Sequence, residues 1–235
     1  MRTRIGFSVC GSESNFYQSY GIGNYAFLGK SSLVFSNIEK HNVDEILIIS
    51  PRSNPISPAS NFLPYDYKEL EKNYIGLPVI MSGSLRYQET FEYHSKTGVS
   101  ERFMFSTEIV EMNTKWIDIY ANNFGRQSII GCLPLIINNN NIAYLYDDHK
   151  KSHTSLTSSI IDFAYDVCDE VVFQDLSNYG DSGAFAYEVI MPLIKDNKRT
   201  IFNGGCNNHT LKLAKNNEIA AVYFDNLTMH NAKLI

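Results

Sequence analysis

Short apolar runs alternate with longer amphipathic segments along the whole chain, and this alternation limits the fold more than any other feature. The runs are rich in β-branched residues and lack a strict polar–apolar alternation, which is typical of strands buried on both faces. Eight strands are predicted, at Thr3–Val9, Glu45–Ile49, Pro78–Met81, Arg102–Ser106, Ser128–Leu133, Val171–Leu176, Thr200–Asn203 and Ala221–Phe224. Helices are predicted between them, near Ser31–His41, Tyr67–Tyr74, Gln88–Lys96, Asn113–Asn123, Ser155–Cys168, Phe185–Lys195 and Asn208–Asn216.

The alternation indicates βα units and therefore a parallel sheet. Eight such units are the number that closes a barrel, and 235 residues are enough for one domain of that kind. We therefore expect a single (β/α)₈ barrel domain over residues 1–235. A doubly wound open sheet is the alternative, but no G-x-G-x-x-G motif follows the first strand to support it.

Two segments depart from a regular barrel. The tract Asn138–Asn141 follows the fifth strand, and asparagines tolerate left-handed turns, so a small β-hairpin is predicted there. After the eighth strand only Leu227–Ile235 remains, which is too short for a full closing helix. The last helix is therefore expected to be missing or truncated.

Composition excludes several classes of function. The chain has 20 Lys and Arg against 25 Asp and Glu, without a basic run, so no nucleic-acid partner is expected. No apolar stretch approaches the roughly 18 residues of a membrane span, and the start of the chain runs directly into a strand, so a cytoplasmic protein is expected. The four cysteines are far apart and predict reduced, part-buried thiols, and no metal or cofactor is expected. These are Cys10, Cys132, Cys168 and Cys206.

Residues around the strand ends form an ordered set that resembles a known family. The set consists of Arg4-Ile5, Val43–Leu47, Leu77–Ile80, Ser82–Arg86, Phe124–Gln127, Asp169–Val172 and Asn203–Gly205. In order, spacing and residue type it resembles the cyclase subunit of imidazole glycerol phosphate synthase. The resemblance covers nearly the whole chain, apart from the missing last helix.

The resemblance implies a glutaminase partner that docks on the bottom of the barrel and makes ammonia. In the family, ammonia enters through a ring of four charged residues. The matching positions are Arg4, Glu45, Arg102 and Glu170, and the family has lysine at the third of them. From their spacing alone, the residues favour another interpretation, because charged side chains at strand starts are usually just solvated, and it is the resemblance that favours a gate. Glu101 aligns with an acidic residue of the family's partner interface.

The chemistry that the resemblance implies is incomplete in this chain. Cys10 and Pro134 stand where the family has two catalytic aspartates, and Gln18 stands where it has a lysine. Proline cannot transfer a proton, and nothing near Cys10 in the sequence would activate its thiol. Three other carboxylates are expected at the top of the barrel, either as solvated loop residues or as catalysts. They are Asp175, Asp181 and Asp225.

The family's substrate carries a phosphate at each end. One half-site would consist of Gly83, Ser84, Ser106 and Thr107, whose hydroxyls and small side chains favour an oxyanion. The other would consist of Gly180, Gly205, Asp225 and Asn226. Because Asp181 and Asp225 place negative charge there, we expect this second half-site to be weakened or lost.

The resemblance thus implies a cyclase-like subunit of a glutamine amidotransferase pair. Such a subunit would receive ammonia and aminate a small phosphorylated or sugar substrate, for example in surface polysaccharide biosynthesis. Two alternatives stay open. One is the cyclase subunit of histidine biosynthesis itself, with relocated catalytic groups. The other is a non-catalytic barrel that binds and activates a glutaminase.

Overall fold

A computed structural model describes residues 2–12, 15–19, 25–38, 41–49, 76–83, 85–148, 150–181 and 185–225. The strands are β1 (Arg4–Ser12), β2 (Asn15–Ser19), β3 (Tyr25–Lys30), β4 (Glu45–Ile49), β5 (Val79–Ser82), β6 (Arg102–Phe105), β7 (Ile129–Ile137), β8 (Ala143–Asp147), β9 (Ser152–Ser155), β10 (Glu170–Asp175), β11 (Thr200–Asn203) and β12 (Ala221–Phe224). The helices are α1 (Ser31–Ile38), α2 (Gln88–Thr97), α3 (Thr107–Val110), α4 (Lys115–Phe124), α5 (Ser158–Val167), α6 (Tyr187–Ile190) and α7 (Asn208–Asn216).

Eight parallel strands close into a barrel, which confirms the predicted (β/α)₈ fold. Their order around the barrel is β1, β4, β5, β6, β7, β10, β11 and β12. The ring closes because β12 pairs with β1 and β7 pairs with β10, each in parallel register. An open doubly wound sheet would leave two unpaired edges in this set, so that alternative is wrong.

Two of the barrel strands continue into antiparallel extensions. The extension β7–β8–β9 confirms the predicted hairpin, and its turn has Asn141 in the left-handed region with a φ of 59°. The extension β1–β2–β3 was not predicted. Both β1 and β7 run for nine residues, longer than the other barrel strands, because their ends pair with these additional strands.

The remaining sequence predictions differ from the structure in detail. The helix expected at Phe185–Lys195 is limited to α6 and a following 3₁₀ turn, Met191–Leu193, where Pro192 lacks the amide hydrogen that a longer helix requires. The predicted helix Tyr67–Tyr74 and the segment after residue 225 lie outside the described residues, as do Ser84 and Asn226. No helix in the described part of the chain is both long and apolar enough to cross a membrane.

The core has an inner and an outer layer, because successive side chains on a strand face opposite sides of the sheet. Alternate residues of the barrel strands form one buried cluster along the axis. This inner cluster consists of Leu47, Ile80, Met104, Ile130, Cys132, Val172, Ile201, Ala221 and Tyr223. Two further clusters pack the outer face of the strands against the helices. The four cysteines are free and buried.

The outer layer contains a buried histidine, His94. His94 lies on α2, with its ring 4.9 Å from Phe103 and 6.2 Å from both Tyr93 and Tyr120, measured between centroids. Burial among these rings lowers the pKa of His94 to about 4. The imidazole is therefore neutral in the folded protein at neutral pH.

Candidate functional site

The four charged residues that open barrel strands form a closed ring at the bottom of the barrel. Arg4, Glu45, Arg102 and Glu170 are the first residues of β1, β4, β6 and β10. The Nε of Arg4 donates to Oε1 of Glu45 at 2.9 Å, and its Nη2 donates to both carboxylate oxygens of Glu170, at 2.8 and 2.7 Å. One arginine therefore holds both carboxylates from one side.

Arg102 closes the ring from the opposite side. Its Nη2 donates to Oε2 of Glu170 at 2.5 Å, and its Nη1 lies 3.6 Å from Oε2 of Glu45. Two guanidinium groups thus alternate with two carboxylates. Both glutamates are buried, and Arg102 is 16% exposed, so the interpretation as solvated charges is wrong for these three side chains.

The arginines and glutamates of the ring are ion-pair partners of one another. Burial alone would lower the pKa of Arg4 and Arg102, but the attraction of Glu170 and Glu45 outweighs it and raises both pKa values. Both guanidinium groups therefore stay charged, and each of them lies within ion-pair distance of both glutamates. Buried charges need such pairing, since an unpaired ion in the interior is costly.

A tyrosine of the inner cluster extends the ring toward the barrel axis. The hydroxyl of Tyr223, which is fully buried, donates to Oε1 of Glu45 at 2.9 Å. Its ring lies against Gly6 of β1, and a Cβ atom at position 6 would be 1.9 Å from the Cδ1 atom of Tyr223. The absence of a side chain at Gly6 is what gives the tyrosine ring room on the axis.

We expect Gly6→Ala to destabilise the protein by about 1–3 kcal/mol, because overpacking a dense core forces side chains off their rotamers. Gly131→Ala is the matched control, since its Cβ would meet the Cys168 sulfur at 3.0 Å, a much milder approach on another barrel strand. The free energy of unfolding, measured in urea, should fall more for Gly6→Ala than for Gly131→Ala. Equal losses for the two variants would contradict the packing role of Gly6.

At the top of the barrel, the two positions expected to carry acid–base chemistry hold no group that titrates near neutral pH. Cys10 is buried, and burial together with the charge of Asp225 raises the pKa of its thiol to about 12. Pro134 lies buried on β7 opposite Gln174 of β10. Gln18 is buried on β2, outside the barrel strands, and its amide nitrogen has no hydrogen-bond partner among the described residues.

Asp175, at the end of β10, organises its own loop. One carboxylate oxygen accepts from the backbone amides of Ser177 and Asn178, and the other accepts from the Asn178 side chain at 2.7 Å and from the Ala186 amide. The side chain is completely buried, and burial raises its pKa against the effect of these donors. Asp175 therefore stabilises the loop and does not face solvent as a loop carboxylate would.

Asp225 occupies the second expected phosphate half-site itself. Its Oδ2 accepts from the backbone amides of Gly180 at 2.8 Å and Gly205 at 3.3 Å. The carboxylate is buried, whereas Asp181 beside it is exposed. The two amides that would receive an external anion are thus engaged by an internal one.

The first expected half-site carries neutral groups. Gly83 follows β5 with a φ of 90°, and Ser106 and Thr107 follow the neighbouring strand β6, with Thr107 buried. The adjacent cation, Arg86, donates to Glu108 and to Glu111 at 2.6 Å each. This rim therefore offers hydroxyls and backbone amides, while its arginine is already neutralised.

A polar cluster on the axis was missed by the sequence analysis. The Tyr179 hydroxyl and the Ser8 Oγ are 2.5 Å apart, and the Asn203 amide lies close enough to the tyrosine to help lower its pKa against a strong increase from burial. All three side chains are buried. The only signal of this cluster in the sequence was that Ser8 and Asn203 occupy strand positions facing the barrel axis. Tyr179 comes from a loop, whose conformation the sequence does not show.

Together these residues define a (β/α)₈ barrel with a closed charge ring at one end of its axis and a buried polar cluster at the other. No family model matches the chain, and no curated protein is significantly similar to it.

Proposed function

We propose that the chain is the synthase subunit of a glutamine amidotransferase pair, similar to the cyclase subunit of imidazole glycerol phosphate synthase. A glutaminase partner docks at the bottom of the barrel and supplies ammonia through the ring. The barrel then delivers the ammonia to an acceptor at its top, a sugar or related substrate in surface polysaccharide biosynthesis. The observation that carries the proposal is the closed ring of Arg4, Glu45, Arg102 and Glu170.

The ring supports this role because a lone barrel has no need of it. Replacing a buried ion-pair network with apolar residues is often neutral or stabilising. Barrel enzymes carry out their chemistry at the opposite, carboxyl-terminal end of the strands, so the ring is not positioned for direct catalysis. A network of alternating charges around the axis is, however, suited to act as a gate at the bottom entrance of the barrel.

The interior above the ring suits a small neutral solute. Beyond Tyr223 the inner cluster is apolar, including Leu47, Ile80, Met104 and Val172. An ammonium ion entering such an environment would lose its hydration, whereas ammonia loses much less. Passage requires the Tyr223 ring to move aside, since it fills the axis next to Gly6.

The acceptor differs from the histidine precursor in this proposal. Cys10 with its raised pKa and Pro134 supply no acid–base pair, and Asp225 holds the amides of the second half-site. These same observations favour a second candidate, a non-catalytic barrel that binds and activates a glutaminase. The two candidates share the docking surface and differ only in turnover at the top.

The test is co-purification of the chain with the glutaminases of its source organism, followed by glutamine hydrolysis and amination assays with candidate sugars. The proposal expects a complex whose glutamine hydrolysis exceeds that of the free glutaminase. Amination distinguishes the synthase from the non-catalytic barrel. If no complex forms with any of these glutaminases, both candidates fail.

We expect Glu101→Lys to weaken docking about fivefold, since an exposed charge at an interface rim contributes on the order of 1 kcal/mol. Glu101 is exposed directly before Arg102, at the bottom of the barrel. The effect should shrink at high salt because screening weakens exposed charges. Glu89→Lys is the control, since it makes the same charge change at the exposed start of α2. Equal weakening by both variants, measured by titration calorimetry, would argue against docking at the ring.

A further inference from the structure

The buried polar cluster at the top of the axis contains an amide with unused hydrogen-bonding capacity. Asn203 is fully buried at the end of β11, and neither its side-chain nitrogen nor its oxygen makes a well-formed hydrogen bond within the described residues. Buried polar groups almost always have partners, and leaving one without a partner costs free energy. The Asn203 amide reaches the Tyr179 hydroxyl only in a contact that falls outside the geometry of a hydrogen bond. It can therefore still donate to and accept from a group placed beside Tyr179 and Ser8.

The neighbouring backbone forms an anion cradle. Gly180 and Gly205 have φ values of 86° and 69°, a region that favours glycine, and their amides converge on one oxygen of Asp225. A Cβ atom at Gly205 would lie 2.7 Å from the carbonyl oxygen of Asn178, so the backbone there is closely packed. Backbone amides that converge on one point form an anion-binding concavity, and here the bound anion belongs to the chain.

We propose that Asp225 is the permanent anion of the Gly180–Gly205 cradle, and that the ligand group bound beside Asn203 is uncharged and bears a hydroxyl. The identity of this ligand as the amination acceptor rests on the proposed function, whereas its lack of charge does not. A phosphate brought to this point would meet a buried carboxylate, and like charges in a weakly screened interior repel strongly. A hydroxyl both donates and accepts, which matches the two capacities of the Asn203 amide.

In the first arm of the test, inorganic phosphate is added to ¹⁵N-labelled protein. Binding is followed by the backbone amide signals of Gly180 and Gly205. The wild type should show no saturable shift at these two amides. Asp225→Ala vacates the cradle and should bind phosphate at least about tenfold more tightly, as a newly available charge-assisted hydrogen bond would give. Asp225→Asn removes the charge but keeps an accepting oxygen in the cradle, so it should bind phosphate more weakly than Asp225→Ala.

Asp181→Asn is the matched control for charge, because it removes an exposed carboxylate directly after Gly180 while Asp225 keeps its place in the cradle. It should not create phosphate binding. Saturable shifts in the wild type would overturn the proposal, as would Asp225→Asn binding phosphate as tightly as Asp225→Ala. A folded Asp225→Ala that binds no phosphate would show that the two amides are not an anion cradle. If that variant does not fold, Asp225→Ser and the wild-type arm decide the question.

The second arm uses glycerol at molar concentration as the uncharged, hydroxyl-bearing probe. It should shift the side-chain amide signals of Asn203 in a saturable way, while those of Asn140, exposed on the β7–β8 turn, change only linearly. Identical linear behaviour of the two asparagines would overturn the neutral-group site. Neither arm involves a glutaminase, so a missing glutaminase complex leaves this inference intact, and its failure leaves the docking proposal intact.

Discussion

Arg102→Ala is expected to destabilise the protein by about 3–5 kcal/mol, the range for removing one partner of a buried ion pair. Arg102 bridges Glu170 and Glu45, and its loss leaves Arg4 as the one cation of the ring for two buried carboxylates. The measurement is the free energy of unfolding in urea with an unchanged denaturant dependence. A loss below about 1 kcal/mol, the range of exposed pairs, would contradict the buried character of the ring.

A double substitution separates the charge imbalance from packing. Arg102→Met with Glu170→Gln removes one charge of each sign, so the double variant should be more stable than the sum of the two single losses predicts. The interaction free energy should exceed about 1 kcal/mol. Strict additivity would show that the two side chains do not depend on each other.

The single substitution Arg102→Ala should also uncouple glutamine hydrolysis from amination in the proposed amidotransferase. In the complex with glutaminase, Arg102→Ala should leave glutamine hydrolysis running while glutamine-dependent amination falls, and amination from added ammonium salt should persist. Arg86→Ala is the matched control, because Arg86 also joins two glutamates, at the other end of the barrel. Retained coupling in Arg102→Ala, or its loss in Arg86→Ala, would count against the ring as a gate.

The second large effect concerns pH. His94 has a pKa of about 4 in the folded protein and about 6.5 when unfolded, so the unfolded state binds more protons between these values. Stability should therefore fall as the pH drops from about 6.5 to 4, by about 3 kcal/mol in total, and the loss should end below pH 4. The measurement is a series of urea denaturation curves across this range.

His94→Gln should remove this part of the pH dependence, and the comparison of the two proteins isolates it. The isolation is needed because the raised pKa of Asp175 acts in the opposite direction, adding relative stability as the pH falls. His153→Gln, which removes an exposed imidazole on β9, is the control. A His94→Gln protein with the wild-type slope would show that His94 is not the responsible group.

The barrel could be predicted because its strands are buried on both faces, and burial on both faces leaves continuous apolar runs in the sequence. The predicted strands Glu45–Ile49, Thr200–Asn203 and Ala221–Phe224 match the structure residue for residue. The extension β2–β3 was missed because its strands are only partly buried and mix polar with aromatic residues. Their pairing depends on β1 running past the barrel rim, which local sequence does not encode.

The candidate site was predictable at the ring and not at the top. Each ring residue opens a strand, and parallel strands of a barrel bring their starts together, so sequence position alone implies proximity. Asp225 and Asp175 both accept hydrogen bonds from backbone amides of loops. Such contacts depend on loop conformation. The sequence shows which carboxylates could accept a hydrogen bond, but it does not show which backbone amides point toward them.

Gly6 and Tyr223 share a single volume on the barrel axis, and this constrains how related sequences can diverge. A side chain at position 6 excludes the aromatic ring, and a small residue at position 223 opens a cavity beside the glycine. Among homologues the two positions should covary, with a larger residue at one accompanied by a smaller residue at the other. A lineage that gains a side chain at position 6 must first lose the tyrosine, and with it the hydroxyl that reaches Glu45.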